Sequence, residues 1–425
     1  MRKKHFLFAS VLALLCGSSA LHAQDFKLTS SGYFKNQGVD IMAFDDIYPE
    51  GHQGGVCIIM NGHRVATNGD IRLEATPGQW QPVPKQLDRK LGDNSITATL
   101  CYPDSSRHLT GFNPMIYPDL HLIYTVNVES KGKNIEVTVD LDRPIPQEFI
   151  GKVGFNLEFF PGSLFGKPWI MDGQSGIFPQ QPNSPLMTTQ PNYLHTGNYH
   201  DGKQSLADMD KLIGKGYSPI VADDIISEPY AKGRKFTSRP DDPYNKVTIE
   251  SLSGDLQLFD GRMNHNNGWF VLRSNIKPGV TKGAVKWIIT PNVVADWMYQ
   301  PVIQTSQIGY HPAQDKEAVI EMDIRDNRKE TAQIIRIDAD GEKVVKNVTP
   351  ANWGKFLRYN YLKVDFTDVK EPGLYKIKYD TSVSPIFRID NDVYARGVWQ
   401  PVLEYFLPVQ MCHMRVNEKY RVWHD

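Results

Sequence analysis

The side chains of this sequence that could do acid–base chemistry are neighbouring carboxylates. Asp223 and Asp224 lie close to Glu228, and Asp241 is followed directly by Asp242. An acid–base pair works through a fixed geometry between two groups, which sequence neighbours rarely have. We therefore interpret both groups as solvated surface, and leave open that a loop carboxylate near an aromatic ring accepts hydrogen bonds from sugar hydroxyls.

Metal chemistry would have to come from histidines that occur in two close pairs. His52 stands near His63, and His195 stands near His200. A metal site needs at least a third ligand in a suitable geometry, and the sequence shows neither that ligand nor a Cys-x-x-Cys spacing. We predict structural histidines, no metal and no cofactor.

Tryptophans are the side chains most suited to binding a sugar, because an exposed flat ring can stack on the apolar face of a pyranose. Trp269 and Trp287 lie inside apolar, strand-like segments and are predicted to be core. Trp80 and Trp169 follow stretches rich in Pro and Gly, so we expect them on loops. These two are the candidate carbohydrate-binding residues, and the alternative is that each ring pins its loop to its own domain.

Length and composition limit the class of protein. The chain has 425 residues, a formal net charge of -1 and 22% charged residues, which gives no indication of a nucleic acid partner. Its 40% hydrophobic content is enough for substantial cores, and a β-rich chain of this length usually divides into two or three domains. No stretch is long and apolar enough to predict a transmembrane helix.

The first 23 residues have the pattern of a secretory signal peptide. Residues 2–4 are basic, residues 6–16 are an apolar run too short to span a bilayer, and Ala23 ends a small-residue cleavage site. The sequence therefore predicts an exported protein, periplasmic or extracellular, whose mature chain begins near Gln24.

Four cysteines add two further alternatives. Cys16 could carry a lipid anchor to the outer membrane, but the bulky Leu15 stands where such a motif needs a small residue. In an oxidising compartment Cys57 and Cys101 are the pair that could form a disulfide. The alternative is that they, like Cys412, are small buried hydrophobic residues.

Residues 24–300 are predicted to form one large β-rich sandwich domain. Asn-Gly dipeptides at 61–62 and 68–69 stand between apolar runs, which predicts two successive hairpins. Residues 122–128 and 135–141 alternate apolar and polar side chains around a Lys-Gly turn, which indicates strands with one buried face. Residues 172–191 and 217–244 are rich in Pro, Gly and Asn and predict long loops.

Residues 303–390 are predicted to form a second, smaller sandwich. Short runs of alternating apolar and polar residues, such as those at 318–322, 333–337 and 374–379, are separated by turn signals such as Asp-Gly and Pro-Gly. Beyond residue 390 the apolar spacing becomes helical, between residues 393 and 416. The predicted fold is all-β: a large β-sandwich, a small immunoglobulin-like β-sandwich and a short C-terminal helical stub.

Four short segments in this smaller region, taken together and in order, support a family resemblance. They are Gln-Ile-Gly-Tyr-His-Pro at 307–312, Asp-Phe at 365–366, Glu-Pro-Gly-Leu-Tyr at 371–375 and Pro-Ile-Phe-Arg-Ile at 385–389. This set resembles the immunoglobulin-like domain in front of the catalytic domain of family 9 glycoside hydrolases, the cellulase or endoglucanase type. Residues 402–412 are similar to the first helix of that family's (α/α)6 barrel, although Met411 and His413 stand where the commoner form has Arg and Gly.

The resemblance implies an inverting hydrolase of β-linked glucans, whose acid and base are separated by room for a water molecule. In the family the base comes from an Asp-Ala-Gly-Asp motif, and that motif is absent from this sequence. No catalytic residue can therefore be assigned, and we interpret residues 391–425 as the truncated start of the barrel.

The sequence thus favours the non-catalytic front portion of an exported glycoside hydrolase acting on β-glucan, in which the small module supports a barrel. The alternative is a stand-alone periplasmic or surface glycan-binding protein. A polysaccharide is the expected partner under both hypotheses, with no nucleic acid, and the sequence does not define an oligomeric state.

Overall fold

A computed structural model describes residues 25–45, 54–74, 76–78, 84–104, 106, 120–183, 227–263, 268–395, 397–412, 415–416 and 420–421. The chain divides into two compact units, one up to Trp297 and the other from Met298 onwards. Each unit has a hydrophobic core of its own.

The large unit consists of two nine-stranded antiparallel sheets. Its strands are β1 Lys27–Leu28, β2 Phe34–Asn36, β3 Val39–Ala43, β4 Val56–Met60, β5 His63–Leu73, β6 Lys85–Leu91, β7 Ser95–Cys101, β8 Ile123–Lys131, β9 Asn134–Leu141, β10 Val153–Phe159, β11 Pro168–Met171, β12 Gln174–Ile177, β13 Ala231–Gly233, β14 Lys235–Ser238, β15 Val247–Ser251, β16 Leu256–Asp260, β17 Phe270–Asn275 and β18 Val285–Pro291. Short 3-10 helices lie at Gln147–Phe149, Pro161–Ser163 and Gly261–Met263.

The first sheet has the order β1-β2-β3-β4-β5-β10-β17-β16-β13, and the second has the order β12-β11-β14-β15-β18-β9-β8-β7-β6. Strands β8 and β9 show why the sheets pack: every second side chain is buried, as their alternating sequence predicts. Phe155 meets Trp287 edge to face across the core, with ring centroids 5.0 Å apart. The Trp287 indole N–H donates to Ser274 Oγ at 3.0 Å, so this large ring is buried without losing its hydrogen bond.

Two local predictions for the large unit are wrong. Asn61-Gly62 does form a hairpin turn, with positive φ at both residues. Asn68-Gly69 does not, because β5 runs through it and the irregularity is a bulge in the pairing with β4. The stretches predicted as loops also contain strands, namely β12, β13 and β14, whose short length and polar composition hide their alternation.

The possible disulfide between Cys57 and Cys101 is not formed, and both residues are free thiols. Cys57 lies on β4 in the first sheet, where its Sγ is 3.1 Å from Thr67 Oγ1, whereas Cys101 ends β7 in the second sheet. The alternative interpretation, a small buried side chain, holds for Cys57.

The small unit is a sandwich of a four-stranded sheet, with the order β19-β20-β24-β23, and a five-stranded sheet, with the order β22-β21-β25-β26 and β27 beside β25. Its elements are β19 Val302–Gln304, β20 Glu317–Asp323, β21 Ala332–Asp338, β22 Gly341–Val348, β23 Ala351–Phe356, β24 Tyr359–Asp365, β25 Gly373–Tyr379, β26 Ser382–Val383, β27 Phe387–Ile389, helix α1 Gln400–Cys412, β28 Arg415–Val416 and β29 Tyr420–Arg421.

The all-β fold class is confirmed: two sandwiches and a short helix, α1, after the second. The helix occupies the centre of the stretch with helical spacing, and Pro401 lies in its first turn, where its missing N–H costs little. The core of the small unit is formed by the buried, alternating residues of both sheets, such as Ile320, Ile334, Leu362 and Ile377.

Candidate functional site

The four-stranded sheet of the small unit turns an aromatic surface to solvent. On β24, Leu362 and Val364 are buried in the core, so Tyr359, Tyr361 and Lys363 lie together on the other face. Residues directly opposite each other in an antiparallel pair share a face. The register of β20 with β24 therefore places Val319 beside Lys363 and Glu321 beside Tyr361.

Trp353 on the edge strand β23 completes this surface. The pairing of β23 with β24 has a bulge between Asn352 and Gly354, and Gly354 has a φ of +128 that favours glycine. The Trp353 ring meets the Tyr361 ring at 90°, with centroids 5.6 Å apart, and the Trp353 residue remains 59% exposed.

Together these side chains line a depression of about 240 Å³. We call its lining residues, Val319, Trp353, Phe356, Tyr361 and Lys363, the aromatic face. Phe356 is exposed at the end of β23, where it pairs with Tyr359. The depression is thus walled by rings and has a charged ammonium group at its border.

The polar groups beside the aromatic face form hydrogen bonds and an ion pair with one another. The Glu321 carboxylate accepts hydrogen bonds from the Tyr299 hydroxyl at 2.9 Å and from the Tyr361 hydroxyl at 3.3 Å. Lys363 Nζ lies 2.6 Å from a carboxylate oxygen of Glu317. Burial and then the Glu321 carboxylate raise the pKa of Tyr361, so its hydroxyl remains a donor at physiological pH.

The chemistry available here is binding. The aromatic face presents ring surfaces next to carboxylate, hydroxyl and ammonium groups, which is the combination that an amphipathic ligand such as a sugar requires. Among the described residues, no group of three or more His, Cys, Asp or Glu side chains is arranged to hold a metal ion.

The two predicted carbohydrate-binding residues lie elsewhere. Trp80 is outside the described residues. Trp169 is described, and its predicted position on an exposed loop is wrong: it lies in β11, is 7% exposed and pairs with Gly176 of β12. A Cβ at Gly176 would collide with the Trp169 ring, so the indole lies over this glycine. Such a buried ring presents little surface to a sugar, and a role for Trp169 in binding stays an untested prediction.

Most of the other candidate residues are not described by the structure. The residues outside the described part of the chain are His52, His195, His200, Asp223 and Asp224. Two candidates are described and exposed, namely His63 at the start of β5 and Glu228.

Asp241 and Asp242 are part of a turn. Asp241 is exposed, and Asp242 accepts hydrogen bonds from the Tyr244 and Asn245 nitrogens and from Arg239. These bonds lower the pKa of Asp242 despite its partial burial. Its role is therefore structural, as expected for neighbouring aspartates.

A group of buried charged side chains, which sequence reasoning missed, lies in the large unit. The Arg273 guanidinium bonds Asn156 Oδ1 at 2.9 Å and the Glu74 main-chain oxygen at 2.8 Å, and it lies 3.4 Å from the Glu74 carboxylate. Asn156 donates to that carboxylate at 2.6 Å. The alternating sequence of β10 predicts which of its faces packs in the core. It does not reveal that the opposite face, which carries Asn156 and Glu158, is also buried.

Helix α1 presents a second exposed apolar surface in the small unit. Its described side chains Val402, Leu403, Tyr405 and Phe406 are each more than half exposed. Two contacts fix the chain just before it: Tyr394 donates to Gln314 Oε1 at 2.7 Å, and Arg388 pairs with Asp392 at 3.1 Å.

Comparison with known proteins identifies the small unit. The family model described as "Cellulase N-terminal ig-like domain" matches residues 298–384. The resemblance inferred from the four short segments is thereby confirmed, and this part of the chain is a glycoside hydrolase-related module.

Among solved structures, one described as "Bacteroides ovatus GH9" is similar, with 26% sequence identity and a TM-score of 0.19. The match covers 22% of this chain and 16% of that one. No curated protein matches the chain. No helix within the described part of the chain combines the length and the apolar character needed to cross a membrane.

Proposed function

We propose that this chain is the non-catalytic front portion of an exported glycoside hydrolase acting on β-linked glucans, in which the Ig-like module supports a catalytic barrel. The observation that carries the proposal is helix α1, which follows a cellulase-type Ig-like domain and leaves apolar side chains exposed.

Exposed apolar side chains on a short helix are unfavourable. Burying apolar surface is worth roughly 25 cal/mol per Å², and a helix of 13 residues is marginal without tertiary contacts. A partner that covers Val402, Leu403, Tyr405 and Phe406 would recover this free energy. The first helix of a barrel has such partners in the helices that follow it.

The Ig-like module would support the barrel by fixing where α1 begins. The bonds of Tyr394 to Gln314 and of Arg388 to Asp392 tie the connection to the module, so the helix leaves from a defined point. In this proposal residues 391–425 begin the barrel, residues 24–300 are a separate sandwich domain, and residues 1–23 direct export, as is typical of cellulase-type domains. Catalytic groups would all be supplied by the barrel.

The coding sequence after the codon for Asp425 tests the proposal. We expect an Asp-Ala-Gly-Asp segment downstream, in frame or after a shift, and its absence would contradict the assignment to a hydrolase. As a second measurement, the purified 425-residue chain should release no reducing sugar from soluble β-glucan. Saturable hydrolysis by this chain would show that catalytic groups lie within it.

A further inference from the structure

We propose that the aromatic face of the Ig-like unit is a binding site for a neutral glycan chain. The site consists of Val319, Trp353, Phe356, Tyr361 and Lys363, and it lies in the four-stranded sheet, away from the residues that anchor α1.

The rings of the aromatic face are oriented so that a sugar can stack on them. Trp353 is 59% exposed, although its edge-to-face contact with Tyr361 holds it in place. Perpendicular rings form a corner, in which a pyranose can lay its C–H face on one ring and touch the edge of the other. A ring that only completed the core would be buried, as Trp287 is.

Charged groups beside the rings favour a glycan over a protein partner. The centres of protein interfaces are depleted of charged residues, whereas here Lys363, Glu317 and Glu321 lie among the rings. A protein covering this face would have to remove three charged groups from water, which is costly even though Lys363 is paired with Glu317 and Glu321 accepts two tyrosine hydroxyls. A glycan supplies hydroxyls that both donate to carboxylates and accept from the ammonium group.

The size of the depression suits one sugar ring of a chain. A volume of about 240 Å³ is below the roughly 300–1,000 Å³ of pockets that enclose whole small ligands. The depression suits a single ring, and because it lies on an exposed sheet surface, the neighbouring sugars of a chain could continue to either side. The ligand is therefore a polysaccharide chain rather than a free monosaccharide.

Charge determines which glycans fit. Lys363 is the charged residue among those that line the depression, and its ammonium group is already paired with the Glu317 carboxylate. The lining therefore offers an anionic glycan no unpaired cation, so the site favours a neutral one. The choice of a β-linked glucan as probe rests on the proposed function. The location of the site rests only on the residues of the aromatic face.

Affinity electrophoresis of the full 425-residue chain tests this inference, with hydroxyethyl cellulose as the neutral probe and carboxymethyl cellulose as the anionic one. We expect the neutral polymer to retard the wild-type chain. Trp353→Ala should weaken this retardation at least about tenfold, the equivalent of losing about 1.4 kcal/mol. Tyr361→Phe keeps the ring and should have a smaller effect. The anionic polymer should retard the wild type less.

Trp399→Ala is the matched control, because Trp399 belongs to the same unit and is 58% exposed but does not line the depression. It should leave retardation unchanged, and all variants should unfold at the wild-type temperature. Absence of retardation by the neutral polymer would overturn the proposal, as would equal retardation of Trp353→Ala and wild type. A change in oligomeric state for Trp353→Ala, without an effect on glycan retardation, would assign the face to a second copy instead. Because the assay needs no barrel, its result is independent of the downstream sequence.

Discussion

Tyr310 donates its main-chain N–H to the carbonyl of Arg388 at 2.8 Å, and Asp390 returns a bond to the Tyr310 carbonyl at 3.1 Å. These bonds join the first and last of the four short segments that carry the family resemblance, which are about 80 residues apart in the chain. Gly309 makes this possible, because its φ is +106 and its backbone lies directly against the Arg388 carbonyl oxygen. The segment at 307–312 thus helps to close the sandwich.

Replacing Gly309 with Ala should destabilise the small unit by about 3 kcal/mol or more, because a Cβ would combine an unfavourable φ with a collision against backbone. Gly341→Ala is the matched control. Gly341 has a φ of +126 but open space around it, so it should lose only roughly 1–2 kcal/mol. Urea unfolding of both variants measures the difference, and equal losses would show that the close approach does not matter.

The sequence predicts the architecture well where both local pattern and turn chemistry agree. Strands β8 and β9 alternate cleanly around a Lys-Gly turn, and periodicity places both of them, although β8 continues to Lys131, beyond the predicted end at residue 128. Asn61-Gly62 and Asn68-Gly69 have the same chemistry but different outcomes, because positive φ serves a bulge as well as a turn. The pairing of β5 with β10 on both sides of Asn68-Gly69 makes this dipeptide part of a strand and not a turn. That pairing is a long-range contact, which the local sequence does not reveal.

The aromatic face was missed although β24 contained a signal for it. Tyr359, Tyr361 and Lys363 alternate with Leu362 and Val364, and a lysine on one side of a strand indicates that this side is exposed. The two tyrosines must then share the exposed side. The contribution of Trp353 could not be predicted, because the bulge next to Gly354 shifts which residues share a face.

Trp169 should act in stability rather than in glycan binding. Its ring is 7% exposed and lies over Gly176, so Trp169→Ala should cost roughly 3 kcal/mol, as for other large buried aromatics. Ile177→Ala is the control, since Ile177 is on the paired strand but 59% exposed. Thermal unfolding measures stability, and affinity electrophoresis on hydroxyethyl cellulose measures binding. A folded Trp169→Ala chain with wild-type stability and lost binding would contradict this view.

Asp70 should make the stability of the large unit depend on pH. It accepts the Tyr124 hydroxyl at 2.9 Å, but in the described part of the structure its Oδ2 has no hydrogen-bond donor. Burial raises the pKa of Asp70 from 3.8 to about 6. Between these values the folded chain holds a proton that the unfolded chain has released, so stability falls as pH rises and the contribution is lost above about pH 6.

The Asp70→Asn variant keeps the acceptor for Tyr124 and removes the titration. Relative to this variant, the wild type should lose roughly 3 kcal/mol between about pH 4 and about pH 7, at 1.36 kcal/mol per pKa unit. Urea unfolding across this range measures the loss. Asp241→Asn, at an exposed turn position, should keep the wild-type pH profile. A wild type that gains stability relative to Asp70→Asn with rising pH would show that the carboxylate is stabilised when charged.

Helix α1 should contribute nothing to the stability of the isolated 425-residue chain. Tyr405 and Phe406 are more than half exposed, so replacing both with Ser should change the free energy of unfolding by less than about 0.5 kcal/mol per site and reduce binding of an apolar dye. Phe387→Ser is the contrast, because the same type of ring is buried there and its loss should cost roughly 3–5 kcal/mol. A large loss from the Tyr405 and Phe406 substitutions would mean that the helix face already has a partner within this chain. If the downstream sequence supplies that partner, the same double substitution should become strongly destabilising only in the lengthened protein.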